Sequence, residues 1–236
     1  ESCEGLFLCC PADCTVIGGY PLSIVIYWLI CPRQALYGHT QTVTCLAASV
    51  TYSIIVSGSD DKTCIIWDLN QLTYITQLPA HGASLSAVAI NDSMGDIVSC
   101  AGSSLCLWTV NGQPLVSINT ACNPESRIVC CCFAEVMDWD TRSIIITGST
   151  DGVVRVGLWK TQYTNAPGQA AGLKSQRGNK CGKHLVLCRE LNPSLALTGK
   201  PSKNSPAVTA LAVSRNSSKL LVGDDWGRIC CWSVDG

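Results

Sequence analysis

Apolar and polar positions along this chain come in short bursts, not in helical stripes. The stretch VSGSDDKTCIIWDLN, residues 56–70, shows the recurring unit: small and apolar residues, a turn cluster Gly58-Ser59-Asp60-Asp61, then an apolar run closing on Trp67-Asp68. Short apolar or alternating runs bounded by Gly, Asp, Asn and Ser are strand signals, and no i, i+3, i+4, i+7 stripe competes with them. The unit recurs in DIVSCAGSSLCLW, ending at Trp108, and in SIIITGSTDGVVRVGLW, ending at Trp159. It recurs again in KLLVGDDWGRICCW, ending at Trp232, and in a weaker form in TVIGGYPLSIVIYW, ending at Trp28.

A second short strand signal precedes most units: TVTCLAAS (42–49), LSAVAIN (85–91), RIVCCCFAE (127–135) and AVTALAVS (207–214). An outer strand such as TYITQL (73–78) follows. Four strands in about 40 residues is the spacing of a β-propeller blade. The expected fold is therefore all-β, a propeller of about five blades. Its units run over about 1–37, 38–78, 79–120, 121–160 with an outer strand near 184–190, and 206–236. The middle runs alternate poorly, as strands buried on both faces do. Two extra residues, Gly157-Leu158, precede Trp159 and call for a bulge or a slip in that unit. The last unit ends just after its Trp-bearing strand, and the chain starts at Glu1 without methionine or a signal-peptide shape. Both features read as an incomplete ring with upstream blades missing, a piece of a longer protein.

Composition narrows the chemistry. Charged residues make up 14% of the 236 and the net charge is −1, so no strong field recruits nucleic acid. LSIVIYWLIC (22–31) is too short to span a bilayer as a helix and follows Gly18, Gly19 and Pro21, so a buried strand is expected there. The 17 cysteines sit mostly in apolar runs, where a reduced thiol is a small hydrophobe; this predicts a cytoplasmic setting. No Cys pair has C-x-x-C spacing and there are only 3 His, so no metal site is expected. No phosphate loop, nucleophile elbow or dinucleotide fingerprint occurs, so neither catalytic residues nor a cofactor are expected. Residues 161–183, rich in Gly, Gln and Asn with Lys174, Arg177, Lys180 and Lys183, read as a basic disordered insertion. An electrostatic tether to acidic lipid is the functional alternative for that segment.

Gly38-His39 ahead of the first full unit and Trp67-Asp68 at its end resemble the signature dipeptides of WD-repeat propellers. The runs RQALYGHTQTVTCLAASVTYSIIVSGSDDKTCIIWDLN (33–70), NGQPLVSI (111–118) and LALTGKPSKNSPAVTALAVSRNSSKLLVGD (195–224) resemble the C-terminal propeller of BEACH–WD-repeat proteins. The similarity spans the chain apart from about 161–182. It implies a hydrogen-bonded blade lock of Trp67, Ser57 or Ser59, His39 and Asp61, in which a buried indole and imidazole find partners. His81, Ser99 and Trp108 would form a partial lock lacking the acid. Asp151 with Trp159 would form another lacking the His, and Trp232 the remnant in the last unit, where Trp226 stands in the place of the turn Asp. The resemblance further implies a non-enzymatic scaffold binding other proteins through loops such as 79–84, 91–95 and 138–142. An upstream BEACH module, peripheral association with endosomal or autophagic membranes, and roles in vesicle trafficking, autophagy and endosomal antigen handling are implied with it. A Cys-rich redox or metal-responsive module and an enzymatic propeller are the alternatives. The first would need reactive thiols, and the second titratable residues where these strands carry Cys, Ala and Val.

Overall fold

The computed structural model describes residues 6–10, 15–28, 31–120, 125–135, 143–163, 181–193, 205–214 and 218–233. Four antiparallel sheets stand in series. The first contains β1 (Leu6–Cys10), β2 (Thr15–Trp28), β3 (Cys31–Ser49), β4 (Ile54–Ser59), β5 (Cys64–Asp68) and β6 (Tyr74–Gln77), hydrogen-bonded in chain order. The second is β7 (Leu85–Ile90), β8 (Ile97–Ala101), β9 (Ser104–Trp108) and β10 (Pro114–Asn119). The third is β11 (Ile128–Glu135), β12 (Ser143–Ser149), β13 (Val154–Tyr163) and β14 (Cys181–Leu191); the fourth is β15 (Val208–Val213), β16 (Lys219–Asp224) and β17 (Ile229–Ser233). The architecture is that of an incomplete WD-repeat β-propeller.

Burial follows each strand's place in its sheet. β4 and β8 are buried at every residue, because sheets cover both of their faces. Outer strands β6 and β10 are mostly exposed or half-buried. Successive sheets join through apolar clusters. Cys45, Val56, Cys64 and Ile66 meet Leu85, Val88 and Ile97; Val98, Cys100 and Leu105 meet Ile128 and Ile145; Ile146 and Val154 meet Val208, Leu220 and Val222. The approach is close. A Cβ on Gly58 would lie 2.8 Å from Leu85 Cβ, so glycine is what lets β7 seat against β4.

Three expectations are adjusted by this architecture. The boundary at residues 37 and 38 falls inside β3, whose first part pairs with β2 and whose end, from Val43, pairs with β4. Between Tyr37 and Thr42 the ladder with β2 shifts, Ser23 pairing with Tyr37 and Pro21 with Thr42, so Gly38-His39 stand in a bulge of β3. The insertion expected over 161–183 is strand at both ends. Thr161, Gln162 and Tyr163 pair with Lys183, Gly182 and Cys181, because backbone hydrogen bonding in a hairpin does not depend on apolar side chains. Its middle, 164–180, lies outside the described residues. Gly157-Leu158 leaves the β12–β13 ladder unshifted, and the register shift lies instead between β13 and β14 at Val156/Gly157. The LSIVIYWLIC window runs along β2, with 29–30 outside the described residues, and Cys31 opens β3.

The cysteines described are free. Cys45, Cys64 and Cys100 are buried in the inter-sheet clusters. Burial pushes the Cys45 thiol up to about 12 and Cys64 well above its ordinary range. A hydrogen bond with Cys100, with burial, pushes Cys131 well above as well. The thiolate is the reactive form, so alkylation by iodoacetamide, mapped by mass spectrometry, should label exposed Cys231 first and reach Cys45 and Cys64 only on unfolding. Equal labelling of all three in the native chain would remove the buried-thiol account.

Candidate functional site

The turns after β4, β8, β12 and β16 lie at one end of their sheets, and the loops that precede β7, β11 and β15 lie at the same end. Backbone hydrogen bonds tie the first turn to β3, Asp60 N–H to Thr42 O (2.9 Å), and tie the later turns and loops together: Ile128 N–H to Gly102 O (2.8 Å), Thr150 N–H to Arg127 O (2.8 Å) and Asp225 N–H to Ala207 O (3.1 Å). His81 N–H also reaches Lys62 O at 2.9 Å, linking one sheet to the next. This end is the candidate site. Loop 79–84 belongs to it; loop 91–95 follows β7 and so lies at the opposite end. Residues 138–142 lie outside the described residues.

At the first sheet, side chains complete a continuous chain. Trp67 Nε1–H donates to Ser57 Oγ at 2.8 Å, and Ser57 Oγ stands 2.8 Å from His39 Nε2. His39 Nδ1 lies 2.9 Å from Asp61 Oδ2. A neutral imidazole protonated at Nδ1 satisfies every link: it donates to the carboxylate and accepts the Ser57 hydroxyl proton. Between Ser57 and Ser59, register decides. Trp67 faces Ile55, so the next residue on that face within reach is Ser57, whereas Ser59 lies about 7 Å further along. Ser59 Oγ instead bonds Gln41 O and receives Asp61 N–H, both at 3.1 Å. Gly38 makes room for the indole, since a Cβ there would lie 2.9 Å from the Trp67 ring.

Asp61 is clamped more fully than its sequence context indicated. Burial would raise its pKa, but Thr63 Oγ1–H, the Thr40 and Thr63 N–H groups and His39 all donate to it and lower it to about 2. Thr63 lies in the turn and Thr40 in β3, and only the fold aims both at the acid.

The other sheets depart from this pattern in different ways. In the second, Trp108 Nε1–H and His81 Nε2 both meet Ser99 Oγ at 2.8 Å, but the turn is one residue shorter and His81 Nδ1 is buried without a hydrogen-bond partner. In the third, Thr147 takes the Ser57 position. Gly157 stands opposite Ile145, where Trp67 stands opposite Ile55. Arg155, only 3% exposed, fills that face and reaches Asp151 Oδ2 (2.7 Å), Ser149 Oγ (3.2 Å) and Glu190 Oε1 (3.1 Å), while Ser126 Oγ–H donates to Asp151 at 3.0 Å. A cavity of about 20 Å³, lined in part by Thr147, Arg155 and Gly157, lies beside it. Trp159 pairs with Ser143, and its indole lies outside the described residues. In the fourth, Val222 occupies the Ser57 position, so half-buried Trp232 packs on apolar side chains and forms no such chain. Asp224, buried, holds Arg228 there at 2.7 Å. Arg155 and Arg228 were not anticipated; the readable signal was an Asp four residues ahead of an Arg across a Gly-containing turn, in DGVVR and DDWGR.

These geometries give an ordered acid response. Burial lowers the His81 pKa below its ordinary 6.5, so its contribution is complete above pH 6.5 and is lost as pH falls through the lowered value. Asp61, held at about 2 against an ordinary 3.8, contributes fully above about pH 4 and loses that contribution as pH falls toward 2. Urea unfolding should show stability falling first below pH 6.5, with His81→Gln flattening that part of the profile and Asp61→Asn the part below pH 4. Parallel profiles for the parent chain and His81→Gln would rule out the His81 contribution.

Three comparisons place these observations. The family model described as WD domain, G-beta repeat, matches residues 30–68 and 193–233. WD repeat- and FYVE domain-containing protein 4 of Homo sapiens is 56% identical over 98% of the chain, which spans 8% of that protein's length. BEACH domain-containing protein A2 of Arabidopsis thaliana is 32% identical over 86% of the chain and 6% of that protein. The lysosomal-trafficking regulator of Homo sapiens is 39% identical over 53% of the chain and 3% of that protein. Among solved structures, the computationally designed protein Ika8 has a TM-score of 0.62 at 22% identity, covering 93% of this chain and 55% of that one, a likeness of fold alone.

Proposed function

Because the chain belongs to the WD-repeat segments of BEACH–WD-repeat proteins, we propose that it is a non-catalytic platform for protein–protein contacts within a large cytoplasmic protein of that kind. The observation that carries the reading is the end of the sheets at which loops are fixed by hydrogen bonds to neighbouring turns and by the Trp67–Ser57–His39–Asp61 chain. Titratable groups there serve as braces: Asp61, Asp151 and Asp224 each hold backbone N–H groups, hydroxyls or an arginine. Rigid scaffolds that present loops suit recognition, because little ordering entropy remains to be lost on binding. The setting we propose is vesicle and endosomal trafficking, with autophagy and endosomal antigen handling as the finer roles, beside an upstream BEACH module and peripherally on endosomal or autophagic membranes. The name of the lysosomal-trafficking regulator supports the coarse part of this setting.

The test compares the parent protein with a version lacking these 236 residues, by quantitative co-purification from the same cells. Loss of a defined subset of partners is the expected result. Retention of every partner overturns the platform reading.

A further inference from the structure

The turn 224–228 differs from its counterparts in what it shows to solvent. Asp60, Thr150 and Asp225 are equivalent, each donating its N–H to the residue just before the segment that pairs with its own strand: Thr42 in β3, Arg127 ahead of β11 and Ala207 ahead of β15. The next residue is Asp61 in the first sheet, Asp151 in the third and Trp226 in the fourth. Both acids turn inward to partners, whereas Trp226 is 59% exposed. Trp67 and Trp108 are buried and Trp232 is half-buried, so Trp226 stands apart among the tryptophans whose side chains are described.

Its conformation is built, not left loose. Buried Asp224 accepts the Trp226 N–H at 3.1 Å and the Arg228 N–H at 2.9 Å through Oδ1, and the Arg228 guanidinium through Oδ2 at 2.7–2.8 Å. That pins both ends of the turn. Gly227 at φ +74° closes it. Arg228 lies 4.8 Å from the Trp226 ring centroid and backs one face of the indole. Its charge is compensated by Asp224. The exposed Asp225 is then the turn's uncompensated charge, next in sequence to an indole with a second face open.

From this we propose that Trp226 and Asp225 form the anchor of a docking surface for a basic partner segment, a Lys or Arg side chain lying on the open ring face beside the Asp225 carboxylate. The anchor rests on the platform reading and names one of its contact points. An indole face attracts a cation through its quadrupole, and a neighbouring carboxylate adds to that attraction. Preorganised Trp side chains are also the residues on which interface affinity concentrates.

The probes are two unstructured Gly/Ser peptides of equal length, one carrying lysines and the other glutamates. Titrating each into the isotopically labelled chain and following the indole N–H signals should shift the Trp226 signal with the lysine peptide only. Trp226→Ala should weaken that binding by about tenfold, Asp225→Asn by a smaller factor, and salt should weaken it further. Unchanged affinity in Trp226→Ala, preference for the glutamate peptide, or no binding of either peptide overturns the anchor. The parent protein separates this from the broader reading. If deleting the whole segment removes partners that Trp226→Ala retains, the platform stands and the anchor falls; if the deletion removes none, the platform itself falls.

Discussion

Replacing Arg155 with Met should destabilise the chain by about 3 kcal/mol, through the cost of breaking a buried ion pair from one side. The guanidinium is 3% exposed and holds Asp151, Ser149 and Glu190 at once. Without it, the Asp151 carboxylate keeps only the Ser126 hydroxyl and the Val153 N–H. Burial already works against that charge, and hydrogen bonding and attraction from Arg155 hold its pKa below the ordinary range. A double variant, Arg155→Met with Asp151→Asn, removes the orphaned charge and should recover part of the loss. Urea denaturation of the two variants and the parent measures this, and a loss below about 0.5 kcal/mol for Arg155→Met would mean that the pair is no brace.

The second large effect belongs to Trp67. Trp67→Ala removes the largest fully buried side chain of the first sheet, and truncations of this kind cost about 3–5 kcal/mol. It also takes the donor from Ser57 and opens space beside Gly38, Ile55 and Leu72. His39→Ala and Asp61→Ala should each cost less, about 1–3 kcal/mol, because they unpair polar groups without emptying the core. Because the three residues share one hydrogen-bonded chain, the His39→Ala, Asp61→Ala double variant should cost less than the sum of the single losses. Strict additivity, measured by denaturant unfolding, would show that the links act independently.

Much of this was legible from residue order. Strand positions, the turn residues and the Trp at the end of each unit follow from local chemistry: β-branched runs prefer strands, and Gly and Asp end them. The set of His39, Ser57 or Ser59, Asp61 and Trp67 came from the resemblance to WD-repeat propellers, and two serines on one face could not be told apart without the register. The third and fourth sheets were read less well, because there the same place in the fold is filled by different chemistry. Arg155 enters where Ile65 stands in the first sheet, and it has room because Gly157 has no side chain.

By itself, then, the sequence determined the elements, their period near forty residues, and the class of fold, because those depend on contacts between residues close in the chain or on repetition. Tertiary structure alone decided which hydroxyl meets which indole, that Thr40 and Thr63 clamp Asp61, and that His81 Nδ1 is left without a partner, whereas the place of Trp226 at the turn Asp position already pointed to an exposed side chain. Those outcomes hang on strand register and on how closely one sheet seats against the next, and neither distance is written in the local pattern.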